Sequence, residues 1–133
     1  MKNKLFINFI TFVLIFLGSN LRAETIFFDS KNIKVEENGN MIFATKGQAK
    51  IPSNNLVIEG DKFIYNKINS ELVVIDDVKY FDDENNIYIE SDKIIYNEIN
   101  NTIFSKSDTY IKSEADYEIN SSDVLYARNL NKI

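Results

Sequence analysis

The side chains in this sequence that could do chemistry are carboxylates, hydroxyls and amides, because its 133 residues include no histidine and no cysteine. That removes the commonest general base, the usual zinc ligands and every Ser-His or Cys-His nucleophile pair. The carboxylate groups to weigh are Asp76-Asp77 and Asp82-Asp83-Glu84, the second followed by Asn85-Asn86. Paired carboxylates can share acid–base work, and an acidic run can hold calcium. Neighbouring residues of a strand point to opposite faces, so Asp76 and Asp77 do not converge on one substrate. The run at 82–84 lacks the alternate-position ligands and the distal bidentate Glu of an EF-hand loop, and it reads as a solvated hairpin turn. Ser and Thr are numerous, but no base or Gly-rich nucleophile elbow accompanies them. The expectation is a protein that is not an enzyme and uses no metal or cofactor.

Its surroundings are read from the N-terminus. Lys2 and Lys4 precede an apolar run from Leu5 to Leu17 interrupted only by Asn8 and Thr11, and small or polar residues follow up to Ala23. This order is that of a signal peptide, residues 1–23, and the run is short for a membrane of ~30 Å. Export to the periplasm, with outer-membrane association left open, is the expected localisation. Cleavage removes Lys2, Lys4 and Arg22 and no acid, which leaves 12 basic against 20 acidic residues in 24–133. Such a surface repels phosphate, so neither nucleic acid nor an anionic membrane is an expected partner. A single domain over 24–133, held without disulfides, requires a regular, well-paired structure.

The elements that must position these residues emerge from a repeat. The stretch from Leu56 to Asn69 recurs from Ile87 to Asn100 at an offset of 31 residues, and a weaker copy runs from Tyr117 to Tyr126. A degenerate first copy lies within Phe28 to Lys50. Leu56, Ile58 and Gly60 alternate, and Phe63 and Tyr65 resume the alternation with opposite parity, so a bulge belongs at Gly60-Asp61 and again at Ser91-Asp92. Glu37-Asn38-Gly39-Asn40 is a hairpin turn, and Asn66 to Ser70, Asp82 to Asn86 and Asn97 to Asn101 are connections of similar length. Nothing after residue 23 has a helical period. The expected class is all-β, antiparallel, with about a dozen short strands. One face collects Ile42, Ala44, Leu56, Ile58, Phe63, Tyr65, Leu72, Val74, Tyr80, Ile87, Ile89, Ile94, Tyr96 and Ile103. Alternation fits equally a filled sandwich core and an open apolar trough.

The unit Ile58-Glu59-Gly60-Asp61-Lys62-Phe63-Ile64-Tyr65-Asn66 resembles the OstA-like domain of lipopolysaccharide transport proteins (the LptA, LptC and LptD family). So does Thr45-Lys46-Gly47-Gln48-Ala49-Lys50-Ile51, with Gln48 and Ala49 departing from the family's Asn and Val. The resemblance spans nearly all of residues 26 to 129. It implies a twisted β-jellyroll or open roll whose apolar trough takes acyl chains of lipopolysaccharide. The fourteen inner-face residues would then be lipid-facing. It also implies docking to homologous jellyrolls, or self-association, by edge pairing through Phe28, Ile33 and Val35 at one end and Val124 and Tyr126 at the other. The stretch from Tyr117 to Asn129 is most similar to the N-terminal domain of the family's outer-membrane assembly protein. No membrane barrel follows it, which reads as a truncated or split copy. A rival expectation is a structural adaptor that joins envelope proteins by its edges and has no lipid site.

Overall fold

The computed structural model describes residues 26–114 and 117–130; the expected signal peptide lies outside them. Seven antiparallel strands form one sheet in sequential order: β1 (Phe27–Glu36), β2 (Met41–Ile51), β3 (Leu56–Asn66), β4 (Glu71–Asp82), β5 (Ile87–Asn97), β6 (Thr102–Ser113) and β7 (Glu118–Ala127). The all-β, antiparallel expectation holds, and β1 and β7 remain unpaired to each other, so the roll is open. The turns stand where the polar connections placed them. Asn38, Asn55, Asn86 and Asn101 take left-handed backbone in them, a region that Asn tolerates better than most residues. Asn66, Asp82 and Asn97 start three of these turns by accepting backbone N–H bonds from Ile68, Asn85 and Asn100.

The dozen short strands are seven long ones, each bent in the middle. Ladder register shifts between Glu59 and Lys62, between Ile75 and Val78, between Ser91 and Ile94 and between Ser105 and Asp108. The Gly60-Asp61 and Ser91-Asp92 sites lie at two of these breaks. In β3 and β5 the inward alternation steps by three, whereas β4 and β6 step by four. Asp76, Asp77 and Ser107 absorb the extra residue with positive φ. Because pairing resumes on both sides of every break, two short segments count as one strand.

The breaks align into a line that divides the sheet into two halves. Half A holds 27–30, 47–51, 56–59, 78–82, 87–91, 108–113 and 118–122; half B holds the remainder of each strand. The sheet folds along this line. The Phe28 ring in half A lies 6.0 Å from that of Phe63 in half B. In a flat sheet these positions are two strands and five residues apart, roughly 19 Å at ~4.8 Å per strand and ~3.3 Å per residue. Folding gives the apolar face its cover: Ile58, Leu72, Val74, Tyr80, Ile94 and Tyr96 are all fully buried. On the outer face of half B, Phe43, Ile64, Val73, Ile95, Phe104 and Leu125 stand opposite one another in a row from β2 to β7. Cross-strand apolar pairs of this kind add to ladder stability.

The fold line needs small residues where strands crowd. A Cβ at Gly47 would meet Asp29 O at 2.1 Å and Ser30 Cα at 2.6 Å, both backbone atoms of β1, while one at Gly60 would meet a methyl of Val74 at 2.5 Å. A side chain can turn away; a paired backbone cannot. Gly47→Ala is therefore expected to cost about 1–3 kcal/mol, as overpacking does, and more than Gly60→Ala. Urea unfolding of both variants checks the order.

Candidate functional site

The inner face is built from four cross-strand rows and a shorter fifth beside the fold line, Val78, Ser91 and Thr109. In half A, Phe28, Ala49, Ile58, Tyr80, Ile89, Ile111 and Ile119 stand in register from β1 to β7. Beside them run Ile51, Leu56, Asp82, Ile87 and Ser113. In half B, one row is Ile33, Ala44, Phe63, Val74, Ile94, Ser105 and Val124. The other is Val35, Ile42, Tyr65, Leu72, Tyr96, Ile103 and Tyr126. All fourteen expected lipid-facing residues lie in these rows, and every one except the partly buried Ile42 is in the buried core. The middle of the interior is thus a packed core.

The two halves do not face each other strand for strand. Phe28 of β1 packs on Phe63 and Tyr65 of β3. Asn54, between β2 and β3, donates from Nδ2 to the Tyr96 hydroxyl of β5 at 3.3 Å. Asp82, ending β4, accepts from the Tyr126 hydroxyl of β7 at 3.3 Å. Each strand of half A therefore lies over one two or three places further along in half B, as a sheet that twists while folding requires. The offset leaves the far ends without cover among the described residues. At the β1 end, Ile33 and Val35 point inward yet are 51% and 57% exposed; at the β7 end, Ile119 is 38% exposed. Of the expected edge residues, Phe28 is half-buried against the core, whereas Val124 and Tyr126 turn their side chains into it. What β7 offers a neighbour there is backbone.

Among the described residues, the interior has one ionic cluster, at the margin opposite the fold line. Arg128, just after β7, donates from Nε to Asp82 Oδ2 at 2.6 Å and from Nη2 to Asp82 Oδ1 at 3.2 Å. Nη2 also reaches Asn54 O and Glu84 Oε2, each at 3.1 Å, and Nη1 donates to Asn101 Oδ1 at 3.1 Å. The Arg128 and Asp82 side chains are 3% and 0% exposed. Tyr80 and Tyr126 donate to the same carboxylate, as does the Asn85 side chain. Burial pushes the Asp82 pKa up, but the hydrogen bonds from Arg128 and Asn85 outweigh it, and the carboxyl ends below its ordinary 3.8. Burial first, and then the Asp82 charge, push both tyrosines up, so they stay protonated donors.

Asp82 corrects the solvated-turn expectation: Asp83 and Glu84 are exposed, and Asp82 is core. Arg128 gave no signal in the sequence beyond being the one Arg of residues 24–133, next to an apolar strand. Near the fold line, Thr109 Oγ1 bonds Ser105 Oγ at 2.8 Å and Ser91 Oγ at 3.1 Å, and Ser105 Oγ accepts the Val124 N–H. These hydroxyls bond one another, and Ser91 and Thr109 also reach the surface cleft beside them. An open cleft of about 670 Å³ lies outside them. Asp77, Glu90, Asp92 and Asp108 line it, which suits no acyl chain.

Truncating one partner of a buried pair strands the other charge, so Arg128→Met is expected to cost about 3–5 kcal/mol in urea unfolding. Adding Asp82→Asn should recover part of that loss. The folded-state pKa of Asp82 lies below the unfolded value of 3.8. Its contribution is therefore full above that value and disappears as pH falls through the folded-state pKa. Acid titration of stability should show this component in the unsubstituted protein and lack it in Asp82→Asn.

No protein-family model matches this sequence, and no curated protein matches it.

Proposed function

We propose that this chain is a periplasmic β-roll of the lipopolysaccharide-transport type, which carries acyl chains on its apolar inner face and docks end to end with similar rolls. The observation that carries this reading is the uncovered inner face at the two ends, Ile33 and Val35 at β1 and Ile119 at β7. A further roll stacked at either end would continue both the ladder and the apolar lining, since the exposed halves are opposite ones. Unpaired edge strands supply the backbone donors and acceptors for that docking. An acyl chain of a dozen carbons needs roughly 10 kcal/mol of compensating burial at ~0.8 kcal/mol per methylene. Continuous apolar rows can supply it once the chain is inside. The family resemblance stated from the repeat points the same way.

A second reading is a structural adaptor without a lipid site. The packed middle of the interior favours it, because the core residues there are almost fully buried.

Photocrosslinking residues at Ile33, Val35 and Ile119, and in the middle at Phe63, Leu72, Ile89 and Ile94, separate the two in cells. Lipid adducts at the end positions are expected under the first reading. Protein adducts alone, in transport-active cells, would refute it in favour of the adaptor. Docking is tested by Ile33→Pro and Lys34→Pro, one of which removes an outward N–H from β1. Loss of association on size exclusion in one of the two, with the circular dichroism of a folded sheet, is expected.

A further inference from the structure

A folded-over sheet can part along one margin only. The fold line is crossed by the covalent chain of every strand, so the halves can separate only where the turns of half A meet the ends of half B. At that margin the contacts are polar: Arg128 to Asp82, to Asn54 O and to Glu84, Tyr126 to Asp82, and Asn54 to Tyr96. Immediately behind it the lining is apolar and closed, with Ile51, Leu56, Leu72 and Ile103 almost fully buried.

The chemistry of the margin differs from that of the core for a reason. Apolar side chains gain nothing from water when they part, whereas a guanidinium and a carboxylate recover their hydration. A polar margin fixes one closed geometry yet opens at lower cost than an apolar seam of equal area. Glu84 is already at the surface, with 63% of its side chain exposed, so water reaches the outer edge of the cluster.

We propose that Arg128 and Asp82 are the clasp of a reversible opening, by which the two half-sheets swing apart about the fold line and admit an apolar ligand into the closed interior. The ligand part rests on the acyl-chain reading above; the opening does not. Release is local, because the ladders of both halves stay paired while the margin parts. Asn54, Tyr96 and Tyr126 separate along with the ion pair, so the margin moves as one unit.

The absence of cysteine makes site-specific spin labelling unambiguous. One label pair, Ser53→Cys with Leu130→Cys, spans the margin, and a second, Ser53→Cys with Asp83→Cys, stays within half A. Dipolar distances are measured for each pair in the parent clasp, in Asp82→Asn and in Arg128→Lys, and uptake of dansyl-dodecanoate is timed in the same proteins. A longer distance component is expected across the margin in both clasp variants, with the half A pair unchanged. Uptake should rise about tenfold for each ~1.4 kcal/mol removed from the closed state. An unchanged cross-margin distance in two folded variants would overturn the clasp. If neither variant folds, the parent pair in urea below the unfolding midpoint decides: a longer component there supports the clasp, and separation only on global unfolding refutes it. Opening without fatty-acid uptake leaves the clasp standing and refutes the acyl-chain reading. Uptake without opening does the reverse.

Discussion

A sheet with one apolar face must have that face covered, and neither a helix nor a second sheet covers it among the described residues. The cover comes from the sheet itself. Folding along a line demands that the ladders break at the same level, which is why four register shifts, the positive-φ residues Asp76, Asp77, Ser107 and Asp123 and the crowded Gly47 and Gly60 fall along it. The rest of the architecture follows from that bend: two facing half-sheets, one closed margin and two open ends.

The open ends are a consequence of twist. Flat halves would register strand over strand and leave nothing exposed. With right-handed twist, half A slides over half B by two or three strands, as the contacts of Phe28, Asn54 and Asp82 show. Three inner-face residues of the outermost strands, Ile33, Val35 and Ile119, then stand in solvent. Isolated exposed apolar residues are ordinary; inward-pointing ones on an unpaired edge are a surface that a neighbouring roll could extend.

The margin shows how a small charge cluster can hold a large fold. Asp82 accepts from Arg128, Tyr80, Tyr126 and Asn85, and Arg128 reaches turns on both sides of the margin. Buried ion pairs are seldom worth more than well-packed apolar groups, so the gain lies in geometry: one guanidinium with fixed directions ties the ends of β2, β4, β5 and β7 into a single arrangement.

The all-β class and the inward faces were legible from the repeat, and four of the turns from their polar connections. Period-two alternation depends only on local geometry, and the three-residue step at Gly60-Asp61 and Ser91-Asp92 marked two of the breaks. Left-handed Asn turns are equally local, which gives part of the Asn content a structural reason. Asp82 was not legible. It stands first in an acidic run that looks like solvated charge, and its partner Arg128 lies 46 residues away. The merging of short segments into seven strands and the sliding of one half over the other also lay beyond the sequence. Alternation records which face a residue takes and carries no information about what lies across from it; that was decided only when the twisted sheet closed on itself and paired residues far apart in the chain.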